Sequence, residues 1–487
     1  MRRLGVGFVL VLLAAALWLP APASAHDGDA PPQLHRKGRW LVDEQGRTVI
    51  VHGFNMVYKL APYSPPDDPA GFTEADAQWL ADHGFNAARV GTLWAGLTPE
   101  SADQLDPTYV AGVQRVLDLL AQRHIWMQLD MHQDQWNEYY GGEGVPDWAV
   151  IRPAPYDEEP YEFVPFPKGY WTDEVSTVFD NFWADHDGLL TDWAEAWQLT
   201  AQQWKDQPYL MGYDLLNEPW MGMEWRSCFT GCPASYPAEL QPAMERGLAA
   251  VRSADPDNIV WWEPQQFAGG STADTYFTPA AGERQLGFSW HNYCPSLFVA
   301  GQGGGPPDVT PCKDFSDTHQ KGAIDQSRRM HAVPMMSEWG ATDNLKVIAI
   351  DAAAADKHLM GWTHWAYKEW DDPTTSGGNV QGMFDDDADL STLRMGKAKL
   401  LVRTYARATA GTPLSMHFNA RNGEFHYRYR PDRAIHAPTE IFVSPLHYPD
   451  GYRVRVDGGT AVRAGDHLVD VRRSGKGVVS VTITRRS

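Results

Sequence analysis

Two glutamates are the residues of this chain best placed for chemistry. One ends a β-type run in Asp214-Leu215-Leu216-Asn217-Glu218-Pro219, the other in Met335-Met336-Ser337-Glu338-Trp339-Gly340. Two carboxyl groups at one site supply a proton donor and an ionised group. Cleavage of a glycosidic bond needs that pair, the first at the leaving oxygen and the second at the sugar carbon. Taken singly, each glutamate reads more readily as a solvated or salt-bridged side chain at a strand end. Other run ends add polar groups: Arg89 in Asn86-Ala87-Ala88-Arg89-Val90-Gly91, His132 in Asp130-Met131-His132-Gln133-Asp134, and His291 and Tyr293 in Trp290-His291-Asn292-Tyr293. Arg89 also reads as a buried structural ion pair. His132 and His291 read alternatively as core histidines or, with Asp134, as metal ligands. No H-E-x-x-H or comparable spacing exists, so no metal is expected. Asp385-Asp386-Asp387 lacks the glycine and oxygen-ligand spacing of a calcium loop and reads as a solvated turn. The nearest approach to G-x-S-x-G is Gly269-Gly270-Ser271-Thr272-Ala273, which lacks the last glycine and disfavours a serine hydrolase.

Groups far apart in sequence converge only if a scaffold brings the run ends together. Candidate strands are Thr48–Asn55, Asn86–Gly91, Ile125–His132, Leu210–Asn217, Ile259–Glu263, Leu286–Tyr293, Val333–Glu338 and Gly361–Tyr367. Amphipathic helical stretches lie between them: Glu74–His83, Pro107–Arg123, Asp192–Lys205, Pro237–Ala254 and Asn344–Leu359, with Arg394–Ala408 after the last strand. Eight strands alternating with helices predict the α/β class and a parallel (β/α)8 barrel, whose functional side chains sit at the C-terminal strand ends. A doubly wound open sheet is the alternative, but no Gly-rich phosphate fingerprint follows any strand, and no cofactor is expected. Beyond Gly411-Thr412-Pro413 the period changes to two, as in Phe425-His426-Tyr427-Arg428-Tyr429-Arg430, and predicts a small C-terminal antiparallel β-sandwich. The segments Asp134–Trp171 and Gly301–Lys321, rich in Gly, Pro, Tyr and Trp, read as substrate-shaping loops.

Arg2 and Arg3, the apolar stretch Leu4–Leu19 and Ala23-Ser24-Ala25 have the order of a secretory signal peptide. The expected division of the 487 residues is thus a leader over 1–25, a barrel over 26–411 and a sandwich over 412–487, in an exported protein without a transmembrane anchor. The formal net charge is −21, yet residues 412–487 carry 12 Lys and Arg against 7 Asp and Glu. An acidic main body argues against nucleic acid and is explained by solubility. The sandwich's basic balance suits an anionic membrane or, more simply, a packing role. Nothing in the chain fixes an oligomeric state. Four cysteines in an oxidising compartment allow three pairings, of which the local one, Cys228 with Cys232 and Cys294 with Cys312, is favoured over a zinc site. Tryptophan, at 21, outnumbers tyrosine at 19 and phenylalanine at 18, which suits sugar faces, lipid interfaces and ordinary cores alike.

Asn-Glu-Pro after strand four, with Glu-Trp-Gly after strand seven, resembles glycoside hydrolase family 5 and the wider clan of retaining barrel glycosidases, over about Thr48 to Tyr367. The resemblance implies Glu218 as acid/base, Glu338 as nucleophile and Asn217 as a partner of the sugar 2-hydroxyl. It places Arg89 beside the nucleophile, with His132, His291 and Tyr293 flanking the carboxylates and Trp365 as a stacking platform. A guanidinium at that position is expected to lower the Glu338 carboxyl, and burial to raise that of Glu218. Phe54-Asn55-Met56-Val57-Tyr58-Lys59, Asp130-Met131-His132-Gln133-Asp134 and Ser337-Glu338-Trp339-Gly340-Ala341-Thr342-Asp343 are similar to the endoglycoceramidases within that family. By that similarity Lys59 and Asp134 contact the first sugar, the sandwich is a family trait, and the substrate is a glycosphingolipid presented in membranes or micelles. Trp220, Met221, Met223, Trp225 and Phe229, after Glu218, then read either as an apolar lip for ceramide or as a loop packed on the barrel. The alternatives are a family 5 polysaccharidase (a glucanase or mannanase) with the same two glutamates, and a non-catalytic glycan-binding barrel. The loops Asp134–Trp171 and Gly301–Cys312 match no family motif and leave the glycan series open.

Overall fold

The computed structural model describes residues 31–486 apart from 153, 159, 271–273, 300–306 and 376–379, with the backbone alone at 229, 230, 270, 298 and 299. The expected leader over 1–25 and the side chain of Phe229 lie outside the described residues.

Three short strands come first: β1 (His35–Lys37), β2 (Trp40–Val42) and β3 (Thr48–Val49). Eight more follow: β4 (His52–Met56), β5 (Ala87–Gly91), β6 (Trp126–Asp130), β7 (Leu210–Asp214), β8 (Val260–Trp262), β9 (Leu286–Asn292), β10 (Val333–Trp339) and β11 (Gly361–His364). These eight pair in parallel and close into a barrel, with β11 returning to β4. Nearly every residue in them is buried, as strands covered on both faces by side chains must be. The (β/α)8 architecture expected from the alternation is thereby borne out. Helices run where capping chemistry starts them. In Pro107–Ala121, for example, the Asp106 carboxylate accepts from the Tyr109 N–H and proline occupies the first turn.

The sequence readings fail at four places. The run Thr48–Asn55, expected as one strand, is divided: β3 pairs with a late strand of the chain while β4 enters the barrel. Both halves are apolar, so composition does not reveal the change of partner. Asp173–Trp183 is a helix inside a stretch with no expected element, its start capped by Thr172. The expected loop Gly301–Lys321 contains, from Cys312, a helix reaching Arg329. Its inward face mixes Cys312, Ala323 and Ile324 with Ser316, Gln320, Gln326 and Ser327, so the usual apolar period is weakened. Arg394–Ala408 yields only the helix Met395–Leu401 before the chain turns to β-structure.

That β-structure comprises β12 (Tyr405–Thr409), β13 (Gly411–Asn419), β14 (Glu424–Pro431), β15 (Thr439–Phe442), β16 (Tyr452–Asp457), β17 (Gly459–Gly465), β18 (Leu468–Arg473) and β19 (Val479–Arg485). One antiparallel sheet has the order β1-β2-β3-β12-β15-β18-β17, the other β13-β14-β19-β16. Strands of the first sheet therefore come from both sides of residue 411. Between the sheets lies a second core that includes Tyr405, Ile441, Phe418, Phe425, Tyr427, Val471 and Val481. The cysteines pair locally, Cys228 with Cys232 and Cys294 with Cys312.

Candidate active site

The strand ends deliver their polar groups to one place, and Arg89 is its centre. The side chain leaves β5 fully buried and is shared by six side-chain oxygens. Nε donates to Asp214 at 3.0 Å, and Nη1 donates to Glu338 Oε1 at 2.6 Å and Asn55 at 3.1 Å. Nη2 faces Asp130 at 2.8 Å, Glu263 at 2.7 Å and Asn217 at 3.0 Å. The two readings of Arg89 are thus one arrangement: it is a buried ion pair, and one of its partners is Glu338.

Glu338 reaches this point through a local irregularity. The register of β10 on β9 slips between Met336 and Glu338, so Ser337 is an extra residue and Glu338 comes opposite His291. The turn that follows requires glycine. Gly340 has φ +98°, and a Cβ there would lie 2.3 Å from His364 Nε2. Tyr293 donates its hydroxyl to Glu338 Oε2 at 2.8 Å. Burial raises the Glu338 carboxyl above its ordinary value, against the pull of His291, Arg89 and His132. This reverses the direction expected from Arg89 alone, because desolvation of a fully enclosed carboxylate outweighs the neighbouring guanidinium.

Glu218 follows β7 with a backbone φ of +43°, the left-handed region that non-glycine residues rarely enter. Its Oε1 lies 2.7 Å from His291 Nδ1, and its Oε2 accepts from Gln266 Nε2 at 2.9 Å. One polar atom each of Glu218, His291 and Glu338 lies within 4.8 Å of the other two. His291 is buried, which opposes its charge, but Glu263, Glu338 and the contact with Glu218 hold its ring well above the ordinary histidine value. Asn217 is fixed from both sides. Its Oδ1 faces Arg89, its Nδ2 donates to the Gln133 carbonyl at 3.1 Å, and Gln133 returns a bond to the Asn217 carbonyl at 2.9 Å.

A second cluster adjoins the first. His132 has Nδ1 2.8 Å from Asp130 and Nε2 3.5 Å from Asp134. Burial opposes its charge, but Asp130 raises the ring to about 10. The Lys59 ammonium, also buried, lies 2.7 Å from Asp134, 3.2 Å from Asp372 and 3.6 Å from Glu143, and donates to the Thr374 hydroxyl at 2.7 Å. His132, Asp134 and Glu143 stand close enough to share a cation. Lys59 already supplies that charge, and it holds the Asp134 carboxyl below the usual range despite burial. Lys59 also sits 4.6 Å over the Trp365 ring, against which His132 stacks at 5.3 Å. The Trp365 indole donates to Gln381 at 3.1 Å.

All ten residues singled out in the sequence therefore fall within these two adjoining clusters. The loop after Glu218 corrects part of its lip reading: Trp220, Met221 and Cys228 are buried, and the Trp220 indole donates to Ser176 on the helix Asp173–Trp183. Among the described side chains of this lip, Met223 and Trp225 remain half-exposed. Residues missed were Asn55, Glu143, Glu263, Gln266, Asp372 and Thr374. Glu263 was legible, since it ends the fifth expected strand just as Glu218 ends the fourth. Asp372 and Thr374 lie well beyond β11 and carried no signal.

Residues 42–370 match the family described as Cellulase (glycosyl hydrolase family 5), and residues 403–483 match the glycoside hydrolase family 5 C-terminal domain. Endoglycoceramidase I of Rhodococcus hoagii is 36% identical over 460 residues, which cover 93% of this chain and 88% of that protein. Endo-glycoceramidase II from Rhodococcus sp., solved as a ganglioside GM3 complex, is 26% identical with a TM-score of 0.74, covering 93% of this chain and 100% of its own. The same enzyme solved as a lactosyl-enzyme intermediate is also 26% identical with a TM-score of 0.74, covering 92% and 100%. By its barrel, its paired carboxylates and these matches, the chain belongs to the endoglycoceramidases of glycoside hydrolase family 5 and is a glycoside hydrolase.

Proposed function

We propose that this hydrolase cleaves glycosphingolipids between the oligosaccharide and the ceramide, with retention at the anomeric carbon, after export and loss of its leader near Ala25. The match to endoglycoceramidase I over 93% of the chain carries the substrate assignment. The close approach of Glu218 and Glu338 supports the mechanism: retaining enzymes place their carboxyls about 5–5.5 Å apart, whereas inverting ones leave about 6.5–9.5 Å for a water.

In the first step Glu218 gives its proton to the glycosidic oxygen while a Glu338 oxygen attacks C1. The C1–O bond breaks, ceramide leaves with that proton, and an ester joins the sugar to Glu338. In the second step Glu218 takes a proton from water as the water oxygen attacks C1, and Glu338 leaves as a carboxylate. Tyr293 and Arg89 hold the two Glu338 oxygens, so the attacking atom is aimed before substrate arrives. Lys59 and Asp134 contact the first sugar, Asn217 its 2-hydroxyl, and Trp365 the ring face. Met223 and Trp225, close after Glu218, provide apolar surface for ceramide on the leaving-group side.

Incubation with lactosylceramide, a ganglioside and a soluble β-glucan tests the reading. Release of intact oligosaccharide from the lipids is the expected result. Release from the glucan alone makes the protein a polysaccharidase with the same two glutamates.

A further inference from the structure

Glu263 is buried just beyond β8, and its two oxygens have different duties. Oε1 accepts from Arg89 Nη2 at 2.7 Å and lies 3.3 Å from His291 Nε2. Oε2 accepts from the backbone N–H of Glu218 at 2.9 Å. One carboxylate thus reaches the acid/base residue twice: by a hydrogen bond at its main chain, and by a charge contact with His291, whose other nitrogen meets Glu218 Oε1 at 2.7 Å.

We infer that Glu263 is a positioning residue for proton transfer by Glu218, a role that rests on the acid/base reading of Glu218 given above. The Glu218 backbone, at φ +43°, lies where an L-residue does not rest unaided, so the peptide needs an external clamp. Glu263 Oε2 is that clamp. If Glu263 served only to neutralise Arg89, both of its oxygens would be free to face the guanidinium, which already has Asp130, Asp214 and Glu338. Instead one oxygen is turned away from Arg89 to the Glu218 amide. Burial opposes a charge on Glu263, yet His291 and Arg89 hold its carboxyl low, at about 2. It therefore stays an acceptor throughout the working range, and the His291 ring keeps its orientation toward Glu218.

The test compares two leaving groups on the same sample, so the fraction folded cancels. Ceramide leaves as a poor alkoxide and needs the proton of Glu218; 2,4-dinitrophenolate leaves without one. Sodium azide removes the need for a base in the second step. It attacks C1 of the lactosyl ester, frees the Glu338 carboxylate and forms lactosyl azide with no proton to move. In Glu263→Ala, kcat on lactosylceramide is expected to fall about 10–100-fold. On dinitrophenyl β-lactoside with azide it is expected to stay within about threefold of the parent, with lactosyl azide as product. Glu263→Gln, which keeps an acceptor for the Glu218 amide, is expected to recover part of the lipid rate, and it carries the same comparison if the alanine variant does not fold. An equal fall on both substrates, or no fall on lactosylceramide, overturns the inference. A parent enzyme that cleaves neither substrate instead overturns the functional reading on which the inference rests.

Discussion

Arg89 faces Asp130, Asp214, Glu263 and Glu338 at once, and none of the five side chains has appreciable contact with solvent. A single guanidinium against four carboxylates leaves excess negative charge at the barrel mouth, which His291 and His132 answer as imidazolium-like neighbours. The consequence for Glu338 can be given a sign. Burial, the largest influence on it, raises its carboxyl, so the folded chain binds this proton more tightly than the unfolded chain does. Its contribution to stability therefore declines as pH rises through the ordinary glutamate range. Glu338→Gln keeps the shape and removes the charge. Hydrolysis of every substrate is expected to be lost, while the unfolding temperature at pH 7 stays level or rises. Calorimetry of the purified variant beside its parent checks this, and a marked fall in unfolding temperature would show that the ion pair with Arg89 outweighs desolvation.

Strand ends were the most legible elements, because a parallel barrel couples an apolar run to a polar terminus at each of its eight positions. That coupling located Glu218, Glu338, Arg89, His132, His291 and Tyr293 from sequence, and Glu263 follows from the same rule. Helices were legible only where their buried face is apolar. Helix Leu345–His358 falls within the amphipathic stretch expected over Asn344–Leu359, whereas Cys312–Arg329, more than half of whose buried residues are polar, begins inside the expected loop Gly301–Lys321. Partner choice was least legible: nothing in Thr48–Asn55 announces that its first residues pair with Tyr405–Thr409. The packing of Leu345–His358 against the helix Cys312–Arg329 carries a pH-dependent cost. Asp351 is buried in it and accepts from Asn292 Nδ2 at 3.1 Å, and burial pushes its carboxyl up to about 7 despite that bond. In the unfolded chain an aspartate titrates near about 3.9. Between these values the folded chain holds a proton that the unfolded chain has lost, so stability falls as pH climbs from about 4 to 7. Asp351→Asn is expected to raise stability by up to about 4 kcal/mol at pH 8 and to have little effect at pH 4. Urea unfolding at the two pH values measures this; an equal change at both would refute it.

At the scale of the whole molecule, the barrel and the sandwich are fastened by buried contacts. The His52 ring lies between Trp362 of β11 at 4.3 Å and Tyr405 of β12 at 3.8 Å. Arg403 pairs with Asp356 on a barrel helix, and the same carboxylate accepts from the Phe418 N–H at 3.0 Å. Tyr405 donates to the Gly84 carbonyl at 2.8 Å, and Thr48 donates to that of Gly411 at 2.8 Å. Ile50 and Leu359, which belong to the barrel's connections, are buried in the sandwich core. Elements that share one core unfold together, since opening either exposes apolar surface of both. This favours a packing role for the basic sandwich over membrane attachment. The chain is expected to melt in one transition, with calorimetric and van't Hoff enthalpies equal. A chain ended at residue 411 would leave β12 without β15 and uncover Tyr405, Ile50 and Leu359, so it is expected to be insoluble or without fixed structure. Two resolved transitions, or a soluble truncated protein that keeps its hydrolytic rate, would show that the barrel stands alone and would return the sandwich to a role at the membrane.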